Sequence, residues 1–157
     1  MKLFHGTYSN TAPAIKIGAY AITGDNVFDG IFASSDAEIA GSHGDKVFTY
    51  SVTAVADNST LNESIEEVIV FLRSEIEADF DDIDALASII ADDNCESWAQ
   101  FESVLNPRSC ADSFAAVCWE IQRLRGRAAA YLGYDAVEMA DEHGTSYLIV
   151  NPEITAD

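Results

Sequence analysis

Tyr134-Asp135-Ala136-Val137-Glu138-Met139-Ala140-Asp141-Glu142-His143-Gly144-Thr145-Ser146-Tyr147-Leu148-Ile149-Val150 is the stretch that decides how this chain is read. Two apolar runs flank a compact cluster of two acids, an imidazole and a glycine. That is the pattern of two strands joined by a charged turn, and it predicts strands over 134–139 and 146–150. Asp-Glu-His-Gly also suits an ordinary solvated hairpin, because glycine supplies the geometry and the acids the polarity. What the rest of the chain brings to this turn separates the two uses.

Immediately upstream, Phe114, Val117, Cys118, Ile121, Leu124, Ala128, Tyr131 and Leu132 form one stripe of a helix over 113–132, and Gly133 stops it as a C′ glycine. Arg123, Arg125 and Arg127 are expected on its outer face, where they favour the C-terminal half of the helix, with phosphate binding as the alternative. Ser64-x-x-Glu67 reads as a capping box for a helix whose face is Ile65, Val68, Ile69, Leu72 and Ile76. Shorter helices are expected over 82–91 and 97–105, the second closed by Asn106-Pro107. In the first third, strands are expected over 2–4, 30–34 and 46–52, a helical turn over 11–17, a loop over 18–30, and a helix over 37–42 capped by Ser35-Asp36. Strands at both ends with helices between them point to the α+β class.

The chain has 157 residues, 48% of them hydrophobic, which suits one domain spanning 1–157 with a core that needs no bridges. No stretch approaches the roughly 18 apolar residues of a membrane span. Met1-Lys2-Leu3-Phe4-His5 carries no secretory apolar segment, so a cytoplasmic protein without a membrane partner is expected. Cys95, Cys110 and Cys118 are odd in number, lack a C-x-x-C pair and have no histidine at zinc spacing, so no metal is expected. Cys118 reads as a small buried hydrophobe.

Charge is the second unusual feature, with 27 acids against 8 bases and a formal net of -19. Residues 57–112 hold fifteen acids and two bases, a local net of -13. Such a surface repels the nucleic-acid backbone and attracts a basic partner. Direct nucleic-acid binding is therefore disfavoured, while a purely solubilising acidic face remains compatible with the composition.

The chain contains no Walker-type phosphate loop, no strand-borne G-x-G-x-x-G and no G-x-S-x-G. Instead, His5-Gly6-Thr7 follows the first strand, Gly30-Ile31-Phe32-Ala33-Ser34 forms the second, and Asp141-Glu142-His143-Gly144-Thr145 comes late. In that order they resemble the ADP-ribosyltransferase fold of the diphtheria-toxin and poly(ADP-ribose) polymerase type. Leu3-Phe4-His5-Gly6-Thr7-Tyr8, Trp119-Glu120-Ile121-Gln122-Arg123-Leu124-Arg125-Gly126 and the string from Leu132 to Thr145 resemble more closely the phage anti-CRISPR ADP-ribosyltransferases that inactivate type I-F surveillance complexes. The likeness covers roughly residues 1–52 and 111–150 and leaves the acidic middle aside.

The resemblance implies a split β-sheet with an NAD+ cleft, the residues 57–112 being a helical acidic insertion. It implies NAD+ as substrate, with His5 on a ribose hydroxyl, the Gly6 backbone near the nicotinamide carboxamide, Thr7 adding a hydroxyl contact, Phe32 as an aromatic wall, and Ala33 and Ser34 bordering the cleft. It makes Asp141 the catalytic carboxylate, with Glu142 the adjacent competitor. Successive strand residues face opposite ways, so one of these two reaches the cleft. His143 would shape the turn and Glu120 would make a helix-surface or supporting contact. Met139 stands two residues before Asp141, where arginine-modifying relatives of the fold carry a glutamate, so arginine is not supported as acceptor. The implied partner is the large PAM-reading subunit of a type I-F complex in the host bacterial cytoplasm. The competing readings are a non-enzymatic acidic DNA mimic and a toxin of the same fold with another protein target.

Overall fold

A computed structural model describes residues 1–18, 24–108, 113–141 and 144–157. Its elements run β1 (Lys2–Thr7), β2 (Ile31–Ala33), α1 (Ala37–Gly41), β3 (Lys46–Ser51), β4 (Val55–Ala56), α2 (Asn58–Glu63), α3 (Ile65–Glu75), α4 (Phe80–Asp92), a 3-10 turn (Trp98–Phe101), α5 (Ser113–Tyr131), β5 (Ala136–Asp141) and β6 (Gly144–Ile149). The class is α+β.

The strands form two sheets, an antiparallel β1–β3 pair and a four-stranded sheet in the order β2-β6-β5-β4, in which only β4–β5 is parallel. Among the described residues one antiparallel bridge joins them, where Phe4 and Ser34 exchange both backbone hydrogen bonds at 2.8 Å. Alternation along β5 and β6 sends Val137, Met139, Leu148 and Val150 into one core with α3, α4 and α5. It sends Ala136, Tyr147 and Ile149 into a second core with Leu3, Ile31 and Tyr50. Both faces are covered, which is why these strands read as nearly continuous apolar runs.

Helix α5 lies close on β6 because Gly126 has no side chain; a Cβ there would stand 2.6 Å from Leu148 Cδ2. The helix ends in a Schellman motif, with Tyr134 N–H donating to Ala129 O at 3.0 Å and Gly133 at φ +87. The middle helices bury Val68, Ile69, Leu72, Ile83, Leu86 and Ile90 and leave Glu66, Glu67, Glu75, Asp81 and Asp84 exposed. Among the described residues, no helix is long and apolar enough to cross a membrane.

Several expectations are corrected. Residues 11–17 form no helical turn; Lys16 and Asn26 exchange two hydrogen bonds at 2.9 Å and Tyr50 Oη donates to Pro13 O at 3.0 Å, so loop-to-loop contacts satisfy this backbone. The helix expected over 97–105 contracts to the 3-10 turn, anchored by buried Phe101 and Leu105. Ser64 makes no side-chain cap: α2 runs directly into α3, and the Ser64 backbone, at φ -106 and ψ 27, is not in the extended conformation of a capping residue. The capping box sits one helix earlier, between Asp57 and Thr60. Helix α2 buries one apolar side chain, Leu61, and β4 is two residues long, so neither left a periodic signal.

The arginine row on α5 is also corrected. Arg125 is not on an outer face: it is 1% exposed and its guanidinium donates to the carbonyls of Ile90 (2.6 Å), Ala91 (2.9 Å) and Glu138 (3.0 Å) and to Asn58 Oδ1 (2.7 Å). It closes the C-terminal end of α4 and ties that helix to β5. Arg123 turns into a buried charge network, and Arg127 is half-buried. Cys118 is buried as expected, while Cys110 lies outside the described residues.

Candidate active site

The two sheets diverge beyond the Phe4–Ser34 bridge and leave a cleft of about 460 Å³. His5, Gly6 and Thr7 from β1 line one side, and Phe32, Ala33 and Ser34 from β2 and its end line the other. Asp141, the last residue of β5, closes the far end with Thr145 and Ser146 of β6. Seven of the eight residues expected at the site therefore border one cavity. Glu142 and His143 lie outside the described residues.

His5 is held rigidly. Its Nδ1 lies 2.6 Å from Phe32 O, a pure acceptor, so that nitrogen carries the proton and Nε2 is the atom offered to the cleft. Nε2 stands 3.3 Å from Asp25 Oδ1, a second carboxylate on the cleft wall. Asp25 also acts at a distance on Tyr50, whose phenol is pushed up to about 12, chiefly by burial and then by this charge.

Gly6 has a packing reason for its identity. A Cβ there would run into the backbone carbonyl of Ala40, because α1 presses directly on β1. Helix α1 starts at Asp36, whose Oδ1 accepts from Glu38 N–H at 2.7 Å, and is followed by His43 at the cleft rim. Thr7 Oγ1 accepts from Ser9 N–H at 3.1 Å, and Ser34 Oγ accepts from Asp36 N–H at 3.0 Å. Both hydroxyls shape the chain reversals beside the cleft. Phe32 is half-buried and meets Phe28 edge-on, with centroids 5.8 Å apart and planes at 75°.

Asp141 shares its strand face with Val137 and Met139, the face turned toward α5, and is exposed. Glu120 is not a surface residue. It is 7% exposed, and its carboxylate takes Arg123 at 2.6 and 2.9 Å. Asp29, 1% exposed, accepts from Arg108 (3.1 Å) and Arg123 (3.3 Å), completing a network that anchors the loop before β2 to α5. Burial works against the charge of Arg123, but Glu120 and Asp29 outweigh it and raise its pKa.

Sequence reasoning missed Asp25 and Tyr8 as cleft residues. Tyr8 follows His-Gly-Thr directly and is 79% exposed at the rim, so its position was readable from the motif. Asp25 sits in an irregular loop whose approach to His5 left no local pattern. Among the described residues, no group of three or more side chains has the makings of a metal site.

The cavity volume falls within the roughly 300–1,000 Å³ of small-molecule sites. Its walls offer an imidazole, strand-end backbone, an aromatic ring and the carboxylates of Asp25 and Asp141, groups suited to holding a nucleotide and facing a developing positive charge. The family model described as Anti-CRISPR Type I-F ADP-ribosyltransferase AcrIF11 matches residues 1–157. A solved structure described as the crystal structure of an anti-CRISPR protein is similar over 100% of this chain and 93% of its own, with 32% identity and a TM-score of 0.68. No curated protein matches the chain. Both similarities run through the acidic middle third, which the motifs alone did not reach.

Proposed function

The chain belongs to the anti-CRISPR type I-F ADP-ribosyltransferase family, and on that premise we propose that it moves ADP-ribose from NAD+ to the large PAM-reading subunit of a type I-F surveillance complex and thereby stops that complex engaging DNA. The observation that carries the reading is the convergence of His5-Gly6-Thr7, Phe32-Ala33-Ser34 and Asp141 on one cleft from three separated segments.

His5, fixed through Nδ1, places Nε2 in the cleft for a hydrogen bond with a ribose hydroxyl. The β1 backbone at Gly6 faces the nicotinamide carboxamide, and Phe32 walls the ring. Asp141 opposes the positive charge that grows on the ribose as the C1′–N bond to nicotinamide breaks, and it receives the proton lost by the acceptor. The exposed acids of α3 and α4 form the docking face toward a basic DNA-binding groove, where steering raises the on-rate.

That acidic face also favours a second reading, a stoichiometric DNA mimic. Incubation with labelled NAD+ and purified type I-F complex, with each subunit weighed afterwards, separates the two. One ADP-ribose on the large subunit supports transfer. Inhibition without any mass gain, and independent of NAD+, supports the mimic and sinks the enzyme.

A further inference from the structure

The cleft between the two sheets holds two carboxylates, and the proposed reaction uses one of them. Asp141 faces the ribose whose bond to nicotinamide breaks. Asp25 stands on the wall beside His5, with Oδ1 3.3 Å from Nε2 and its side chain 35% exposed.

Asp25 is placed by its chain neighbours rather than by a cation. Gly24, at φ +114, turns the backbone into it through a region that side chains rarely adopt. On its other side Asn26 exchanges two hydrogen bonds with the Lys16 backbone at 2.9 Å, which pins the loop. Among the described residues, no lysine or arginine pairs with Asp25. None of the eight lysines and arginines of the chain lines the cleft at all. Arg108 and Arg123 are held by Asp29 and Glu120, and Arg125 by backbone carbonyls.

A carboxylate beside an imidazole, with no guanidinium or ammonium near, suits neutral hydroxyls. The two hydroxyls of a ribose sit on adjacent carbons, so one can meet Asp25 while the other meets His5 Nε2. In dinucleotide sites generally, a carboxylate on the ribose goes with a free 2′-hydroxyl, whereas arginine goes with a 2′-phosphate. A phosphate brought to this wall would meet the Asp25 charge at close range, with no lysine or arginine to offset it. Of the two riboses in the dinucleotide, Asp141 faces the one that reacts. The ribose at His5 and Asp25 is then that of adenosine, the one phosphorylated in NADP+.

We propose that Asp25 is a specificity-determining residue: with His5 it takes the hydroxyls of the adenosine ribose and excludes a 2′-phosphate, so that the cleft accepts NAD+ and refuses NADP+. The inference rests on the transferase reading above.

The test is the dissociation constants of NAD+ and NADP+, measured by titration calorimetry on the wild type, Asp25→Asn, Asp25→Ser and Glu153→Gln. The wild type is expected to prefer NAD+ by roughly 100-fold. Asp25→Asn keeps the shape of the side chain and removes its charge, so it should narrow that preference about tenfold, chiefly by tighter NADP+ binding. Asp25→Ser should narrow it at least as far. Glu153 is exposed and outside the cleft, so Glu153→Gln changes the net charge equally and should leave the preference where it was. A wild type that binds both dinucleotides equally would overturn the proposal, as would a wild-type preference retained in both Asp25 variants, or one narrowed as much by Glu153→Gln. Label transfer from NAD+ to the purified type I-F complex by the wild type keeps the two readings apart: if it occurs while the preference fails, only the role of Asp25 falls, and if it does not occur and NAD+ is not bound, the parent reading falls with it.

Discussion

Gly6 and Ala40 are in backbone contact across the β1–α1 interface, and a Cβ on residue 6 would overlap the Ala40 carbonyl. Nearby, Gly44 is also pressed against the Thr7 backbone, where a Cβ would stand 2.2 Å from the Thr7 carbonyl carbon. The first motif of the chain is therefore a packing device before it is a binding device: it lets α1 and the turn after it sit against the strand that carries His5.

Gly6→Ala should accordingly destabilise the fold rather than selectively weaken NAD+ binding. Overpacking against a backbone that cannot rotate away costs about 1–3 kcal/mol or more. Thermal melting in the absence of NAD+ checks this. A variant with unchanged melting temperature and a raised KM for NAD+ would move the role of Gly6 from packing to the ligand.

Asp141→Asn keeps the size of the side chain and removes its charge, so it should leave folding intact and lower the transfer rate by about 10²–10⁴. Glu142→Gln, assayed beside it on the surveillance complex, should retain most of the rate. If the two variants exchange these outcomes, the catalytic assignment belongs to Glu142.

How much of this was legible in the sequence differs between elements. Helix α5 and strands β5 and β6 announced themselves because a continuous stripe and a two-faced core leave long apolar patterns. Helix α2 and β4 did not, since each buries a single side chain, Leu61 and Ala56. The cleft residues were found through short motifs at strand ends. Asp25 was not, because a loop residue reaching His5 from twenty residues away has no periodicity. Arg125 was misplaced for a physical reason: at i+4 from Ile121 and three residues before Ala128 it lies on the buried stripe, but its charge put it on the outside, and only the C-terminal end of α4 brings the acceptors that surround it.

Arg125→Lys should not substitute for the native residue. The planar fork reaches Ile90 O, Ala91 O, Glu138 O and Asn58 Oδ1 at once, which a single ammonium on a flexible stem cannot reproduce. Leaving buried carbonyls without donors is expected to destabilise by about 3 kcal/mol. Urea unfolding measures it, and Arg125→Lys within 0.5 kcal/mol of the wild type (about the size of a neutral surface change) would show that the fork is dispensable.

Asp135 gives a pH-dependent prediction with a definite sign. Burial by itself would raise its pKa, but hydrogen bonds from Asn151, from the Thr53 backbone and hydroxyl, and from Ala54 N–H outweigh that and lower it from 3.8 to about 2. A carboxylate depressed in the folded state stabilises the protein above its unfolded value, and the contribution is lost as the pH falls toward the folded value. The window is therefore about pH 4 down to 2, and the contribution at neutral pH is about 2 kcal/mol. Asp135→Asn places an amide where the carboxylate accepts from Thr53 and Ala54, so it should lose that stability at pH 6. The gap between wild type and variant, read from urea midpoints at a series of pH values, should narrow steadily below pH 4. This difference cancels the general acid sensitivity of a chain with 27 acids. A gap as wide at pH 2.5 as at pH 6 would mean that the joint between β4 and the start of β5 does not depend on this charge.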